Sequence, residues 1–552
     1  MDAAQKAAGA DTTARLFHQH LIWPLQVMGG GDDEFGSARH WRHLADDPQS
    51  RWKEIDDEFT DDPRDFAERH YREFVAFLPH VQRFLYGERA MRGSAGYGES
   101  PVRVFRRMDV RKARCWFAGE AAPVDLEIVH CDLYFFFDVD VVILALEVRA
   151  QNLPLARCQE IMHRFGRAYP GGWTESGVGA NCLARVAWLD GAGAELAQSD
   201  YDDRQKFVTS VCRHQAAAIA AHWEFLLQPM ILNQSETKGA LRYRQLEHYR
   251  MPLMAYLALD APQALTRADL IRLTFAGPPG ESAPLATPFL ADFEQKHCYD
   301  RFWEPGRANW TNTRILCCGH SVVTIGEAGQ PLYTDAERGF LSQFRHQLFY
   351  LALIAHFHRA AMLMLSDRLV TAMSRLDIRD QATVRRFRRE VRLNHEVFLR
   401  FTHRYYFSEV SDQALSRDFF RMMNTHLGTA RLYAELREEI HDMSHYLETD
   451  MLRRQAVTIL RLTVVTLFSL IGNVTTGFLG MNLFSHAEMS GLERAGIFAL
   501  VFIPAASLTM YAVLKSQRLS LFLDAVADER VGWPGKADAL IDVWRRKPRG
   551  GG

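Results

Sequence analysis

A chain of 552 residues with 65 Lys and Arg against 67 Asp and Glu has a formal net charge of −2, which gives no hint of the basic face that nucleic-acid binding requires and excludes a strongly basic chain. Hydrophobic residues make up 48% and charged residues 24%, the proportions of a folded protein rather than a disordered one. The eight cysteines form no C-x-x-C pair, which argues against a zinc ribbon or a dithiol redox motif and for free thiols in a reducing compartment.

The first residues, Met1 to Thr13, are polar and alanine-rich and hold no apolar signal core, so neither cleavage nor secretion is expected. The acidic run Glu54, Asp56, Asp57, Glu58, Asp61 and Asp62 reads as solvated surface. Segments rich in Val, Ile, Phe and Tyr predict strands over 102–110, 113–117, 124–131, 133–139 and 141–148, with two more over 182–189 and 314–325. Helices are predicted over 155–165, 203–227 and 266–273, and loops with Gly and Pro at 92–101, 170–179 and 277–288 punctuate the pattern. Strands first and long helices afterwards predict an α/β or α+β domain over 1–334. Asp138-Val-Asp140 ends a strand-like run with two carboxylates on one face. A solvated strand end and a site for a hard cation held with waters are both open there. Gly177-Val-Gly179 lacks the third glycine of a dinucleotide fingerprint and reads as a loop.

From 335 onwards the chain reads as helical, with 335–410 as a cytoplasmic helical region. The run 335–376 carries Phe340, Phe344, Leu348 and Leu351 at helical spacing, and its His346, His356 and His358 read as packing or surface residues. A second, arginine-rich helix is predicted over 383–406, where His395-Glu396 lacks the second histidine of an H-E-x-x-H motif. A third is predicted over 411–455, a stretch without proline. Along it Leu432, Leu436, Ile440, Met443, Leu447 and Met451 recur every three or four residues, and the stripe continues in phase through Gln455, Ile459 and Leu462. One unbroken stalk helix running from cytoplasm into membrane is the simplest reading. Glu438, Glu439 and Asp442 on this stalk read equally as an exposed face or as carboxylates that sense cytoplasmic metal. No nucleophile–base arrangement stands out, so an enzyme is not expected.

Two apolar runs follow. Residues 456–478 carry one charge, Arg461, and residues 495–514 carry none. Twenty helical residues rise roughly 30 Å, the thickness of the hydrocarbon layer, so both are predicted to be transmembrane helices. Arg453 and Arg454 precede the first span, Lys515 and Arg518 follow the second, and the tail 515–552 is basic, whereas the loop 479–494 holds only Arg494. The positive-inside rule then puts both termini in the cytoplasm and makes the chain a multi-pass protein of the inner or plasma membrane. Arg461 lies near the inner end, where its side chain can snorkel to the headgroups. In the first span Thr463, Thr466, Leu470 and Asn473 share one helix face, with Leu462 and Ile459 extending it inward. Polar groups within a membrane face a protein or water-filled interior, and several copies of this helix side by side could line such a path. Close packing of small residues is the other reading of the stripe.

Gly480-Met481-Asn482 stands at the outer end of the first span, before a short loop and the second span. This tripeptide in this place resembles the signature of the CorA family of magnesium and divalent metal ion transport proteins, and the resemblance covers the last third of the chain. It implies a homopentamer with a funnel-shaped cytoplasmic α/β domain, a long stalk helix and two transmembrane helices, the first of which lines the pore. By position it makes Asn482 a ring at the pore entrance, Asn473 an inner polar ring and Leu470 a hydrophobic constriction. Mg²⁺ would be the transported ion and a regulatory one, and the partners would be further copies of the chain and the bilayer. Glu488 and Glu493 in the loop would attract cations. Neutral amide oxygens suit a hydrated Mg²⁺, which sheds its waters reluctantly and must be released after it is bound. The chain departs from the family pattern at Leu479, where an aromatic is usual, at Ile471, where a proline is common, and in a loop without Met-Pro-Glu. Transport of Zn²⁺, Co²⁺ or Ni²⁺ within the same family therefore stays open. So does a reading from another class, a membrane-anchored sensor or scaffold with a vestigial pore, which the enlarged cytoplasmic domain motivates.

Overall fold

The computed structural model of the chain describes residues 12–29, 39–55, 68–87, 101–136, 138–239, 241–247, 250–280, 287–304, 312–377 and 380–480, with scattered positions between 490 and 507. The chain divides into two compact units, residues 1–440 and 441–552.

The first unit is built on a mixed sheet. Its strands are β1 (Thr13–Gly29), β2 (Trp52–Glu54), β3 (Val102–Arg107), β4 (Lys112–Trp116), β5 (Val124–Phe136), β6 (Val141–Pro154), β7 (Arg185–Leu189), β8 (Glu195–Gln198), β9 (Ile231–Leu232), β10 (Leu241–Gln245), β11 (Leu253–Leu259), β12 (Cys298–Phe302), β13 (Thr313–Cys317) and β14 (Ser321–Glu327). The main path runs β12-β13-β14-β11-β1-β6-β5-β4-β7-β8, with β3 also on β5 and β10 also on β1. The β11–β14 and β9–β10 pairs are parallel and the others antiparallel. The mixed α/β class expected for this region is what the fold has.

The organising strand is β1, which the pattern of the sequence does not announce. It pairs along its length with β6 on one side, and on the other with β11 at first and then β10. Pro24 lies where that neighbour changes, between the last β11 pair at Leu21 and the first β10 pair at Leu25. Its carbonyl accepts from Leu246 on this side, so the missing proline N–H falls where no ladder partner awaits it. Alternation along β1 sends Phe17, Leu21, Trp23, Leu25 and Val27 into the main apolar core. His18, His20 and Gln26 point to the opposite face and are equally buried.

Helices cover both faces. On the first lies Leu155–Arg164 (α1), and on the second the long helix Phe349–Ser374 (α2). The stretch from Phe340 to Ser374 is the one helix among the described residues long and apolar enough to cross a membrane, yet 89% of its apolar window is buried within the protein itself. It is therefore a core helix laid on a sheet, and its apolarity answers to β1 and β6. A π-helical turn, Phe344–Leu348, precedes it. Gln381–Arg404 (α3) and Ala414–Leu427 (α4) pack on α2.

Several expected boundaries are corrected. The predicted helix 203–227 is two helices, Arg204–His214 and Ala221–Leu227, broken at Gln215 with φ +52°. The predicted strand 314–325 is the hairpin β13–β14, turning through Gly319 at φ +89°. The segments 124–131 and 133–139 are run together in one strand, β5, which ends at Phe136. The predicted helix 411–455 is interrupted at Gly428, whose φ of +65° closes α4 in a left-handed cap that glycine adopts without strain. A new helix (α5) then runs from Thr429 to Gly480 without interruption.

One glycine locks the sheet's edge region. A Cβ at Gly326 in β14 would stand 2.2 Å from Cδ1 of Tyr333. The Tyr333 ring is fully buried, its hydroxyl lies 2.6 Å from that of Thr313, and its carbonyl accepts from the Tyr256 hydroxyl at 3.0 Å. Gly326→Ala therefore has to displace an anchored ring, and overpacking of this kind costs about 1–3 kcal/mol. Urea unfolding of the purified chain should show that loss, and an unchanged midpoint would contradict it.

Candidate functional site

The six residues expected to line a pore, Ile459, Leu462, Thr463, Thr466, Leu470 and Asn473, all lie on α5 and are all exposed. Val464, on another side of the same helix, is buried at 7% exposure. The face singled out by the polar stripe is thus an open one. It leaves Ile459 at 64%, Leu462 at 68% and Leu470 at 60% exposure. Burying a side chain of this size is worth about 1.5–3 kcal/mol, so an aqueous surroundings for this face is costly.

The polar members of the face differ chemically. Thr463 donates to the carbonyl of Ile459 at 2.9 Å and Thr466 to that of Leu462 at 2.5 Å. Thr476 bonds back to Gly472 in the same way at 3.0 Å. A hydroxyl that donates one turn back keeps its proton satisfied in an apolar medium and still presents lone pairs outward. Asn473 makes no side-chain hydrogen bond among the described residues, although its amide has two donors and an acceptor to satisfy. Gly480 ends α5. Met481, Asn482, Glu488 and Glu493 lie outside the described residues, as does most of the second predicted span.

The carboxylates considered for a regulatory cation sit in two places. Glu438, Glu439 and Asp442 are exposed on α5. Asp138 and Asp140 are not a solvated strand end. Asp138, held at φ +62°, accepts from Arg400 at 3.1 Å, from Arg404 at 2.7 Å and from the Tyr405 hydroxyl at 3.3 Å. Asp140 takes His40 at 3.0 Å and the guanidinium of Arg368. Burial opposes ionisation of Asp140, but Arg368 and His40 hold its carboxyl at about 2. Both acids thus tie the β5–β6 turn to α2 and α3, and their charge is already met by cations. Among the described residues no cluster of three or more His, Cys, Asp or Glu is arranged to hold a metal ion.

A polar constellation that the sequence did not disclose lies on the second face of the sheet. Glu147 of β6, at 3% exposure, is approached by Nδ1 of His18 at 3.3 Å and Nδ1 of His130 at 3.2 Å. Arg345, in the π-helical turn, bonds it at 2.5 and 3.2 Å. Burial pushes the Glu147 carboxyl up, and the surrounding imidazoles and Arg345 more than reverse this, so it lies well below the usual range. His20 lies 4.0 Å from the same carboxylate, and burial brings its pKa down to about 3. The signal that could have disclosed the site is His18-Gln19-His20 in an otherwise apolar segment. On one sequence that triplet looks like a loop.

No family model matches the chain, and neither a curated protein nor a solved structure matches it.

Proposed function

We propose that the chain is a homo-oligomeric membrane channel, a pentamer on the CorA plan, that admits divalent cations, Mg²⁺ first, to the cytoplasm down their electrochemical gradient. The observation that carries this reading is the open face of α5. Its exposed Ile459, Leu462 and Leu470 call for lipid or for copies of the same helix, and the same face bears Thr463, Thr466 and Asn473. Copies packed around an axis give the apolar residues cover and turn Asn473 towards water, where its amide is satisfied. Gly480-Met481-Asn482 follows directly at the end of the helix. A divalent ion entering an inside-negative cell gains about 4.6 kcal/mol per 100 mV, twice the single-charge figure, so no energy-coupling site is required.

The test is Mg²⁺ uptake into liposomes containing the purified full chain and an internal Mg²⁺ indicator. Asn482→Ala should cut the rate at least about tenfold, the effect of losing about 1.4 kcal/mol of ion stabilisation at the entrance, with the oligomer's size unchanged. Uptake equal to wild type would remove Asn482 from the entrance. Zn²⁺ flux that outruns Mg²⁺ flux would shift the substrate within the family, and a wild-type protein that conducts neither ion would favour the sensor or scaffold reading.

A further inference from the structure

The constellation around Glu147 borders a cavity of about 350 Å³ between the second face of the sheet and the helices that cover it. That volume is at the lower end of the range for small-molecule sites. One wall is aromatic, from Tyr134, Phe349 and Tyr350. The rest is charged, with Arg69, Arg106 and Arg345 facing Glu73, Asp132 and Glu147, and with the imidazoles of His20, His70, His130 and His346 among them.

The three carboxylates are already engaged. Arg106 grips Asp132 through two parallel bonds of 2.7 and 2.8 Å. Glu73 accepts from the Tyr86 hydroxyl at 2.8 Å and faces Nδ1 of His346 at 3.3 Å. Glu147 is held by Arg345, His18 and His130. No carboxylate is left over to take a cation.

What is left over is nitrogen. Nε2 of His20, which stands 4.0 Å from Glu147, Nε2 of His346 and Nε of Arg69 are buried and have no hydrogen-bond partner among the described residues. The His20 ring is 4% exposed. Buried polar atoms are rarely left in this condition unless something absent from the protein itself completes them. These three come from β1, from the π-helical turn and from the helix Glu68–Val75, so they reach the cavity from separate elements. Donors converging from several sides suit a tetrahedral oxyanion better than a planar carboxylate. With three guanidiniums against three carboxylates, the positive charge for an incoming anion comes from Arg69, whose ion-pair partner among the described residues, Glu337, is itself 65% exposed. A π-turn at this spot adds a second reason to look for a ligand, because such turns are frequent at functional sites.

We propose that this cavity binds a small phosphomonoester, its phosphate on Arg69, His20 and His346 and its organic body against the aromatic wall. The site stands independently of the membrane reading, since all its residues belong to the 1–440 unit.

The experiment uses the full chain in detergent at neutral pH with three probes: adenosine monophosphate, inorganic phosphate and adenosine. A ligand of the folded state raises the melting temperature in proportion to ln(1 + [L]/Kd). Adenosine monophosphate and phosphate should stabilise the protein and adenosine should not. Arg69→Gln should weaken adenosine monophosphate binding at least about tenfold, or about 1.4 kcal/mol. This variant should fold, because among the described residues Arg69 has one ion-pair partner, Glu337, at 3.6 Å and itself 65% exposed, and otherwise bonds its chain neighbour His70 at 3.1 Å. Broadening of the ³¹P resonance of inorganic phosphate by the wild-type protein provides a reading that needs no variant. No stabilisation and no broadening by either phosphate probe would overturn the proposal, and so would an Arg69→Gln protein that binds adenosine monophosphate as tightly as wild type.

Discussion

Lowering the pH from 7 to about 5 should destabilise the 1–440 unit by about 6 kcal/mol, enough to unfold a marginally stable domain. The effect comes from histidines folded away from water in their neutral form. Burial brings His20 to about 3, with Glu147 opposing and Arg345 assisting. Burial brings His222 to about 3, with Lys206 assisting. Burial brings His358 to about 4, against the hydrogen bond of 2.6 Å it makes with the Tyr405 carbonyl. Above pH 6.5 these rings are neutral both folded and unfolded, and they contribute nothing. Below 6.5 the unfolded chain takes up protons that the folded chain refuses, so stability falls as pH falls, until the folded values near 3 to 4 are reached. At pH 5 each ring costs about 2 kcal/mol, at 1.36 kcal/mol per pH unit. The carboxylates act in a lower window. Asp140, depressed to about 2, contributes stability that is present above its ordinary value of 3.8 and is lost only as pH falls through about 2. An acid transition centred between 5 and 6 is thus a histidine signature. Tryptophan fluorescence should report it, since His222 lies 4.9 Å from Trp223 and 5.8 Å from Trp188, ring centre to ring centre. Denaturant midpoints that are flat from pH 7 to 5 would refute the mechanism.

Asp140→Asn should cost about 3–5 kcal/mol at neutral pH, the range for breaking a buried ion pair from one side. Asp140 is 5% exposed and the Arg368 side chain 9%. The substitution leaves a guanidinium beneath the sheet without its carboxylate, and a single amide oxygen where Asp140 offered one oxygen to His40 and another to Arg368. Replacing both partners tests the cause. In Asp140→Asn combined with Arg368→Met the stranded charge is gone, and an apolar side chain of similar length fills its place, so at least half of the loss should return. Chemical denaturation of the three proteins reads the cycle directly. If the double variant is no more stable than Asp140→Asn alone, the pair is not what holds the β5–β6 turn to α2.

The strands from 102 to 148 and the helix α1 were legible because each shows its period over a few residues. Leu155–Arg164 and Arg267–Thr274 fall within a residue of their expected bounds. β1 was not legible. Its second face is as buried as its first but is furnished with His18, His20 and Gln26, and Pro24 argues against a central strand until the change of neighbour is seen. Gly428 was passed over because the stretch 411–455 holds no proline, whereas its φ of +65° ends α4 there. The cavity was beyond reach for a plainer reason. Its residues run from His20 to Tyr350 in the chain, and they meet only because β1, β5 and β6 lie side by side beneath the π-helical turn.

Two apolar helices show the division most directly. Residues 349–374 and the stretch 455–470 are both apolar, and local chemistry alone dictated that each would be helical. Whether the protein's own sheet would cover each was decided only by the fold: α2 lies on β1 and β6, whereas Ile459, Leu462 and Leu470 are exposed. Hydrophobicity states how strongly a surface avoids water but carries no information about what replaces the water, because the effect is non-directional. Register, strand order and the burial of charges depend on residues hundreds of positions apart, and only the assembled sheet brings those together.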